Sequence, residues 1–257
     1  MIDVHCHLEQ EDYDHDRDEV IKRAKEYGLK AIITCCASPF DLRKTIDIVR
    51  RYEGFVYATA SIHPEFVKDF DDNVIDTFFK RVEKVQEHII AVGETGLDYY
   101  WIKEDSWRLK QQELFRKHIK LAKKLGKPIV IHSRESHADV VEILEQEDIK
   151  KIHWHMFGAR ELLKRVIDNG WFISLNTIVF KSKKYRKVAR DVPIDRIMLE
   201  TDAPWLSLEK GKRNEPIAII DVAKKIAEIR KTSFNEIWVQ AGKNAVNFYG
   251  LNIDIKH

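Results

Sequence analysis

No stretch of the 257 residues approaches the roughly 18 consecutive apolar residues of a membrane span. The chain runs from Met1 straight into Ile2-Asp3-Val4, with no basic, apolar, small-residue leader. These absences predict a soluble, cytoplasmic protein with no membrane partner. Cysteine is scarce as well. Cys6, Cys35 and Cys36 are too few for a disulfide framework, and the adjacent pair would form only a strained bridge, so reduced thiols are expected. Charge of one sign is missing too: 44 Lys and Arg against 42 Asp and Glu give +2, so any nucleic-acid partner must be held by local patches. No linker, low-complexity tract or composition shift divides the chain, and residues 1–257 are expected to form a single domain.

What is present is alternation. Short β-branched runs at Ile2 to His5, Ala31 to Cys35, Val56 to Ile62, Ile89 to Glu94, Pro128 to His132, Ile152 to His155, Trp171 to Leu175 and Arg196 to Glu200 are separated by amphipathic segments. Examples of the latter are Asp16 to Tyr27, Leu42 to Tyr52, Val74 to Glu87, Ser106 to Leu125 and Ala138 to Glu145, and two more, about Ile217 to Arg230 and Phe234 to Phe248, close the chain. Eight βα units in a chain close to the roughly 250 residues of a closed barrel predict an α/β fold, a (β/α)8 TIM barrel. The competitor is a doubly wound open sheet. Against it, no Gly-x-Gly-x-x-Gly follows the first strand, which also argues against a dinucleotide or other organic cofactor.

His5-Cys6-His7 stands there instead. Side chains alternate along a strand, so the two imidazoles share one face while Cys6 points to the other, into the packing layer. The fourth run ends in Gly93-Glu94, the fifth in His132, the sixth in His155, and Glu200-Thr201-Asp202 follows the eighth. All are metal-capable, and all sit at C-terminal strand ends, where barrel active sites are built. An unpartnered carboxylate or imidazole inside a barrel costs about several kcal/mol of desolvation. A shared cation accounts for all of these intrusions together.

Over essentially its whole length the chain resembles the TatD family of metal-dependent hydrolases, amidohydrolase-like barrels. The matching stretches are Asp3-Val4-His5-Cys6-His7-Leu8, Ile62-His63-Pro64, Gly93-Glu94-Thr95-Gly96-Leu97-Asp98-Tyr99, Ile131-His132-Ser133-Arg134, His155-Met156-Phe157-Gly158, Leu199-Glu200-Thr201-Asp202-Ala203-Pro204 and Arg213-Asn214-Glu215-Pro216. The resemblance implies two divalent ions, with His5, His7 and Asp202 on one, His132 and His155 on the other, and Glu94 bridging. Mixed nitrogen and carboxylate ligands suit Zn, Mn or Mg, with Mg least at ease. It implies a deoxyribonuclease, exonucleolytic on single strands or ends, using a hydroxide activated by two metals, with Asp202 as the proton acceptor. Glu200 and His153, sharing parity with Asp202 and His155, are expected one layer deeper, orienting ligands. His63 is a candidate for contacting phosphate or protonating a leaving group. Many family members continue His-Pro-His, whereas this chain has Glu65.

DNA as substrate needs recognition groups. Arg134 and Arg213 are candidates for gripping a phosphodiester, and Tyr99, Tyr100, Trp101 and Trp205 for stacking unpaired bases. Lys181 to Arg190 carries six basic residues and no acidic one. Opposing these, the loop after His7 holds Glu9, Glu11, Asp12, Asp14, Asp16, Asp18 and Glu19, relieved locally by Arg17, which favours short or single-stranded ends. The alternative chemistry is hydrolysis of an amide, ester or aminoacyl bond, since related metal sites attack carbonyls equally well. A Cys-His nucleophile is disfavoured, because Cys6 faces away from its neighbours and Cys35-Cys36 has no assigned base. A non-enzymatic barrel would require a broken ligand set, and every expected position is filled.

Overall fold

In a computed structural model describing residues 1–255, each of the eight runs forms a strand. They are β1 Ile2–Cys6, β2 Ala31–Cys36, β3 Val56–Ala60, β4 Ile89–Asp98, β5 Ile129–Arg134, β6 Ile152–Trp154, β7 Phe172–Leu175 and β8 Ile197–Leu199. All neighbours pair in parallel, in sequence order. The expected TIM barrel is what forms. Its seam between β8 and β1 is drawn together by two backbone hydrogen bonds, Asp202 N–H to the His5 carbonyl (3.0 Å) and His7 N–H to the Ala203 carbonyl (2.7 Å). The segments that close the ring are therefore those carrying three candidate ligands.

Among the described residues ten α-helices surround the strands, including α1 Arg17–Glu26, α2 Leu42–Arg51, α3 Asp72–Lys84, α4 Asp105–Leu125 and α5 His137–Gln146. Further along come α6 Leu163–Asp168, α7 Ile178–Lys181, α8 Lys183–Asp191, α9 Ile219–Arg230 and α10 Phe234–Tyr249. Their starts and stops follow local chemistry. Asp71 and Ser233 accept the backbone N–H groups of Val74 and Glu236 at the heads of α3 and α10, and Gly126 and Gly250 end α4 and α10 in the left-handed conformation. None of these helices is long and apolar enough to cross a membrane.

Parallel strands covered on both faces divide the apolar residues into two clusters. The larger packs outward-facing positions such as Cys6, Ile32, Ile129, Ile131, Trp154 and Leu199 against the helices. The smaller fills the barrel: Ile2, Val4, Ala31, Ile33, Val130 and Met198 meet Val239, Ala245, Phe248 and Tyr249 of α10. Thus α10 plugs the end formed by the early strand residues, and the late strand residues are left for the site.

Two register shifts aim the site residues. Asp3 and Cys6 pair with Ile32 and Thr34, and Val92 and Thr95 with Ile129 and Ile131, so β1 and β4 each carry one extra residue. Such bulges bend a strand and redirect its side chains. Ile2 and Val4 consequently face the barrel interior while Cys6, of the same parity, faces the helices. His5 and Glu94 turn inward at these irregularities. Close approach of β4 to β5 requires glycine: a Cβ on Gly93 would lie 2.6 Å from Val130, and one on Gly96 would lie 2.0 Å from the His132 carbonyl oxygen.

Candidate metal centre

At the C-terminal strand ends six side chains converge on a small volume. Glu94 lies between two groups of imidazoles. Its Oε1 is 3.3 Å from His5 Nε2 and 3.4 Å from His7 Nε2, and its Oε2 is 3.3 Å from His132 Nδ1 and 3.6 Å from His155 Nε2. Asp202 Oδ1 stands 3.7 Å from His5 Nε2 and 3.6 Å from His7 Nε2. It comes from a residue in the left-handed backbone region (φ 55°), tolerated for Asp, which returns the side chain over the barrel. His63 reaches the same carboxylate, with Nε2 3.9 Å from Glu94 Oε2. Three overlapping triads have ligand atoms within 4.8 Å of one another: His5–His7–Glu94, His5–His155–Asp202 and His63–Glu94–His132.

Each imidazole is held from behind. His7 Nδ1–H donates to Glu9 (3.2 Å), His155 Nδ1 lies 3.0 Å from Glu200, His132 Nε2 lies 2.9 Å from Asp98 Oδ2, and His5 Nδ1 is 3.1 Å from Cys35 Sγ. The carboxylate partners place the ring protons of His7, His155 and His132 away from the centre, so His7 and His155 present Nε2 and His132 presents Nδ1, and His5 turns Nε2 to the same point. Glu200 was expected from parity; Glu9, Asp98 and Cys35 were not. Glu9 read as part of an acidic lip but is buried, its other oxygen accepting from Thr34 Oγ1. Asp98 lies on the stretch of β4 beyond Glu94, where the sequence had suggested the strand ended. The one available signal was its place in Gly93-Glu94-Thr95-Gly96-Leu97-Asp98. For Cys35 the sequence carried none.

The donor set fits a divalent cation. Among the described residues, the buried side-chain polar atoms without a hydrogen-bond partner are His5 Nε2, His7 Nε2 and Thr59 Oγ1. Two of these three orphans aim at Glu94 and Asp202, a mixed nitrogen–oxygen arrangement of the kind Zn and Mn accept. Electrostatics agree. Burial works against charge on the imidazoles, yet Cys35 and Glu94 bring His5 up to about 10, Asp98 and Glu94 bring His132 up to about 9, and Glu200 and Glu94 bring His155 up to about 9. Burial likewise opposes ionisation of Glu94, but the surrounding histidines hold it well below the usual range. The cluster attracts positive charge. His63 differs: burial and the neighbouring His132 push it down to about 3, and its Nδ1 accepts the Glu65 N–H, leaving Nε2–H turned toward Glu94.

Several expected substrate contacts are placed otherwise. Arg213 is committed to the protein: it grips Asp16 through two hydrogen bonds (2.8 and 2.7 Å), reaches Glu215 at 3.2 Å and lies over the Tyr13 ring at 4.4 Å. Its fork is spent fastening the loop after β8 to the loop after β1. Tyr99 is no open stacking surface either, since its hydroxyl donates to Asp139 and Arg108 covers its ring. Arg134 and Trp205 do stand at the mouth. The Arg134 guanidinium lies 3.6 Å from the Tyr100 ring centre, beside Trp101, and the Trp205 ring sits 4.5 Å from that of His7 with half its surface exposed. The acidic loop is more neutralised than the sequence implied, because Lys44, Arg51 and Arg213 pair with Asp14, Asp18 and Asp16 from other elements. In the basic tract on α8, Tyr185 packs inward and donates to the Met156 carbonyl.

A family model described as TatD related DNase matches residues 2–250. YabD of Bacillus subtilis, an uncharacterized metal-dependent hydrolase, is 34% identical over 98% of this chain and 100% of its own. Deoxyribonuclease TATDN3 of Homo sapiens is 28% identical over 97% of this chain and 94% of its own. The crystal structure of YJJV, a TatD homolog from Escherichia coli K12, matches with a TM-score of 0.89 at 26% identity, covering 97% of this chain and 98% of that one. The match spans every strand and every residue of the converging cluster, and the chain belongs to the TatD family of metal-dependent hydrolases.

Proposed function

We propose that this hydrolase is a deoxyribonuclease that cleaves phosphodiester bonds exonucleolytically, on single strands or ends, using two divalent cations that the residues on either side of Glu94 would hold. The observation that supports it is the position of Glu94, one oxygen facing the His5–His7 pair and the other facing His132 and His155. The family relative named a deoxyribonuclease supplies the substrate class. The reading takes residues 1–257 as one hydrolase domain.

His5, His7 and Asp202 would hold one ion and His132 and His155 the other. When bound, the ions supply Lewis acidity toward the scissile phosphate and acidify water. The remaining roles belong to the chain. Asp202 is ionised, since His7 and His155 outweigh the effect of burial, and its side chain keeps 14% exposure, so it can take the proton of an attacking water. Glu200 cannot do this. It is fully buried and accepts from His155, Met156, Asn176 and Ser174, so it orients rather than exchanges protons. The His63 Nε2–H is free to donate to a phosphate oxygen or leaving group. Trp101 and Trp205 offer stacking faces, and Arg134, itself laid on Tyr100, offers a guanidinium for the strand beyond the cleavage point.

The test is hydrolysis of end-labelled single-stranded DNA by purified protein with Mn2+ or Zn2+, beside RNA, aminoacyl-ester and amide substrates. Activity on DNA should vanish with chelator and fall by more than about 100-fold in His132→Ala, beyond the usual cost of losing an outer partner. Turnover of a carbonyl substrate with none of DNA would overturn the proposal, as would DNA cleavage that survives His132→Ala.

A further inference from the structure

Beneath the centre a line of buried polar groups runs from α10 to His155. Tyr249 Oη lies 2.6 Å from His153 Nδ1, His153 Nε2 lies 2.6 Å from Ser174 Oγ, Ser174 Oγ–H donates to Glu200 Oε2, and Glu200 holds His155 Nδ1 at 3.0 Å. His153, Ser174 and Glu200 are wholly inaccessible and Tyr249 nearly so, which leaves no water to substitute for a missing partner.

The direction of every bond is fixed by the one before it. Glu200 also accepts from the Met156 N–H (3.1 Å) and Asn176 Nδ2 (2.9 Å), and a carboxylate ringed by four donors can only accept. Ser174 has one hydroxyl proton and gives it to Glu200. Its oxygen therefore accepts from His153, whose proton must sit on Nε2. That ring touches two hydroxyls and no anion, so it is neutral, and its Nδ1 lone pair accepts from the Tyr249 hydroxyl. The Tyr249 ring is set edge-on to His153 at 6.0 Å. Removing the tyrosine hydroxyl leaves the His153 Nδ1 lone pair unpartnered in a dry site and frees the ring that holds Ser174 against Glu200, while the charge-assisted Ser174–Glu200 bond keeps the His153 proton on Nε2.

We propose that Tyr249, His153 and Ser174 are positioning residues that act through Glu200 to fix the tautomer and orientation of His155, coupling the C-terminal helix to the metal centre. The inference rests on the metal reading of that centre. Parity had pointed to His153 as an orienting group; the link through Ser174 to a tyrosine almost a hundred residues away comes from the fold alone.

Zn2+ affinity, measured by competition with a chromophoric chelator, is compared for wild type, Ser174→Ala, Tyr249→Phe and Ile237→Val. Long-range 1H–15N histidine spectra are recorded on the metal-free proteins. Ser174→Ala should weaken Zn2+ by about 10-fold and Tyr249→Phe by about 3-fold, at or below the range for outer partners of a ligand. In Tyr249→Phe the His153 Nδ1 resonance should move downfield, as for a lone pair that has lost its donor, with the Nε2–H pattern kept. Ile237→Val, which alters packing of the same helix in the outer core, should lower Tm and leave Zn2+ affinity within twofold. Wild-type binding with both polar variants within twofold of it, or a wild-type His153 that carries its proton on Nδ1, would overturn the inference while sparing the metal centre. Failure of the wild type to bind Zn2+ would overturn both.

Discussion

Asp98→Asn is the most discriminating single change at this centre. Asp98 Oδ1 accepts two backbone N–H groups, from Tyr100 at 3.0 Å and Trp101 at 2.9 Å, while Oδ2 faces His132 Nε2 at 2.9 Å. An asparagine must keep its one oxygen on the two amides, so its NH2 is turned toward His132. Facing a donor, His132 Nε2 becomes an acceptor and the ring proton moves to Nδ1, the atom that points at Glu94. Presenting Nδ1 to a cation then requires giving up a hydrogen bond that had been charge-assisted, a loss of about 1.5–3 kcal/mol. At 1.4 kcal/mol per tenfold, that weakens metal binding by about 10- to 150-fold. Asp98→Ala removes the partner without reversing the tautomer and should weaken metal binding less than Asp98→Asn, despite unpairing the Tyr100 and Trp101 amides. The assay is Zn2+ or Mn2+ titration against a competing chelator, with Tm followed in parallel. An asparagine variant binding within threefold of wild type, or more tightly than the alanine variant, would refute the tautomer argument.

Arg213→Ala should cost about 2 kcal/mol of stability, the scale of a two-point charged hydrogen bond plus a ring contact, which lowers Tm by roughly 4–8 °C at this chain length. Its kcat/KM should stay within about threefold of wild type, and a tenfold fall at unchanged Tm would restore it as a substrate contact. Arg134→Ala should raise KM for short single-stranded DNA several-fold with kcat held, because it removes a stacked cation at the mouth and nothing at the centre. Metal binding should tighten with pH. His5, His132 and His155 stand above their ordinary value, at about 10, 9 and 9, so below pH 9 a metal must displace their protons, and affinity falls toward pH 6 by up to about tenfold per unit for each proton released. A flat profile in the same titration would show that protons and metal do not compete there.

The residues that can bind a cation were legible because chemistry and position are both local properties. His5, His7, Glu94, His132, His155 and Asp202 are conspicuous at or just past the ends of apolar runs, and a barrel of parallel strands gathers all such ends on one rim. The fold followed from the same alternation. Orientation was less secure: Ile2, Val4 and Cys6 share a parity yet face opposite layers, because the bulge between Asp3 and Cys6 is set by pairing with β2 and not by β1 itself.

Only the tertiary structure decided what stands behind and around the ligands. Asp98 on His132, Cys35 on His5 and Glu9 on His7 are choices among many polar residues, made by which loop or strand comes within 3.2 Å. Arg213 read as a phosphate clamp until Asp16, 197 positions away, closed on it. A sequence records each residue's capacity to donate, accept or carry charge. Which capacity is spent inside the protein and which is left for a substrate depends on distances between segments, and these exist only once the barrel has closed.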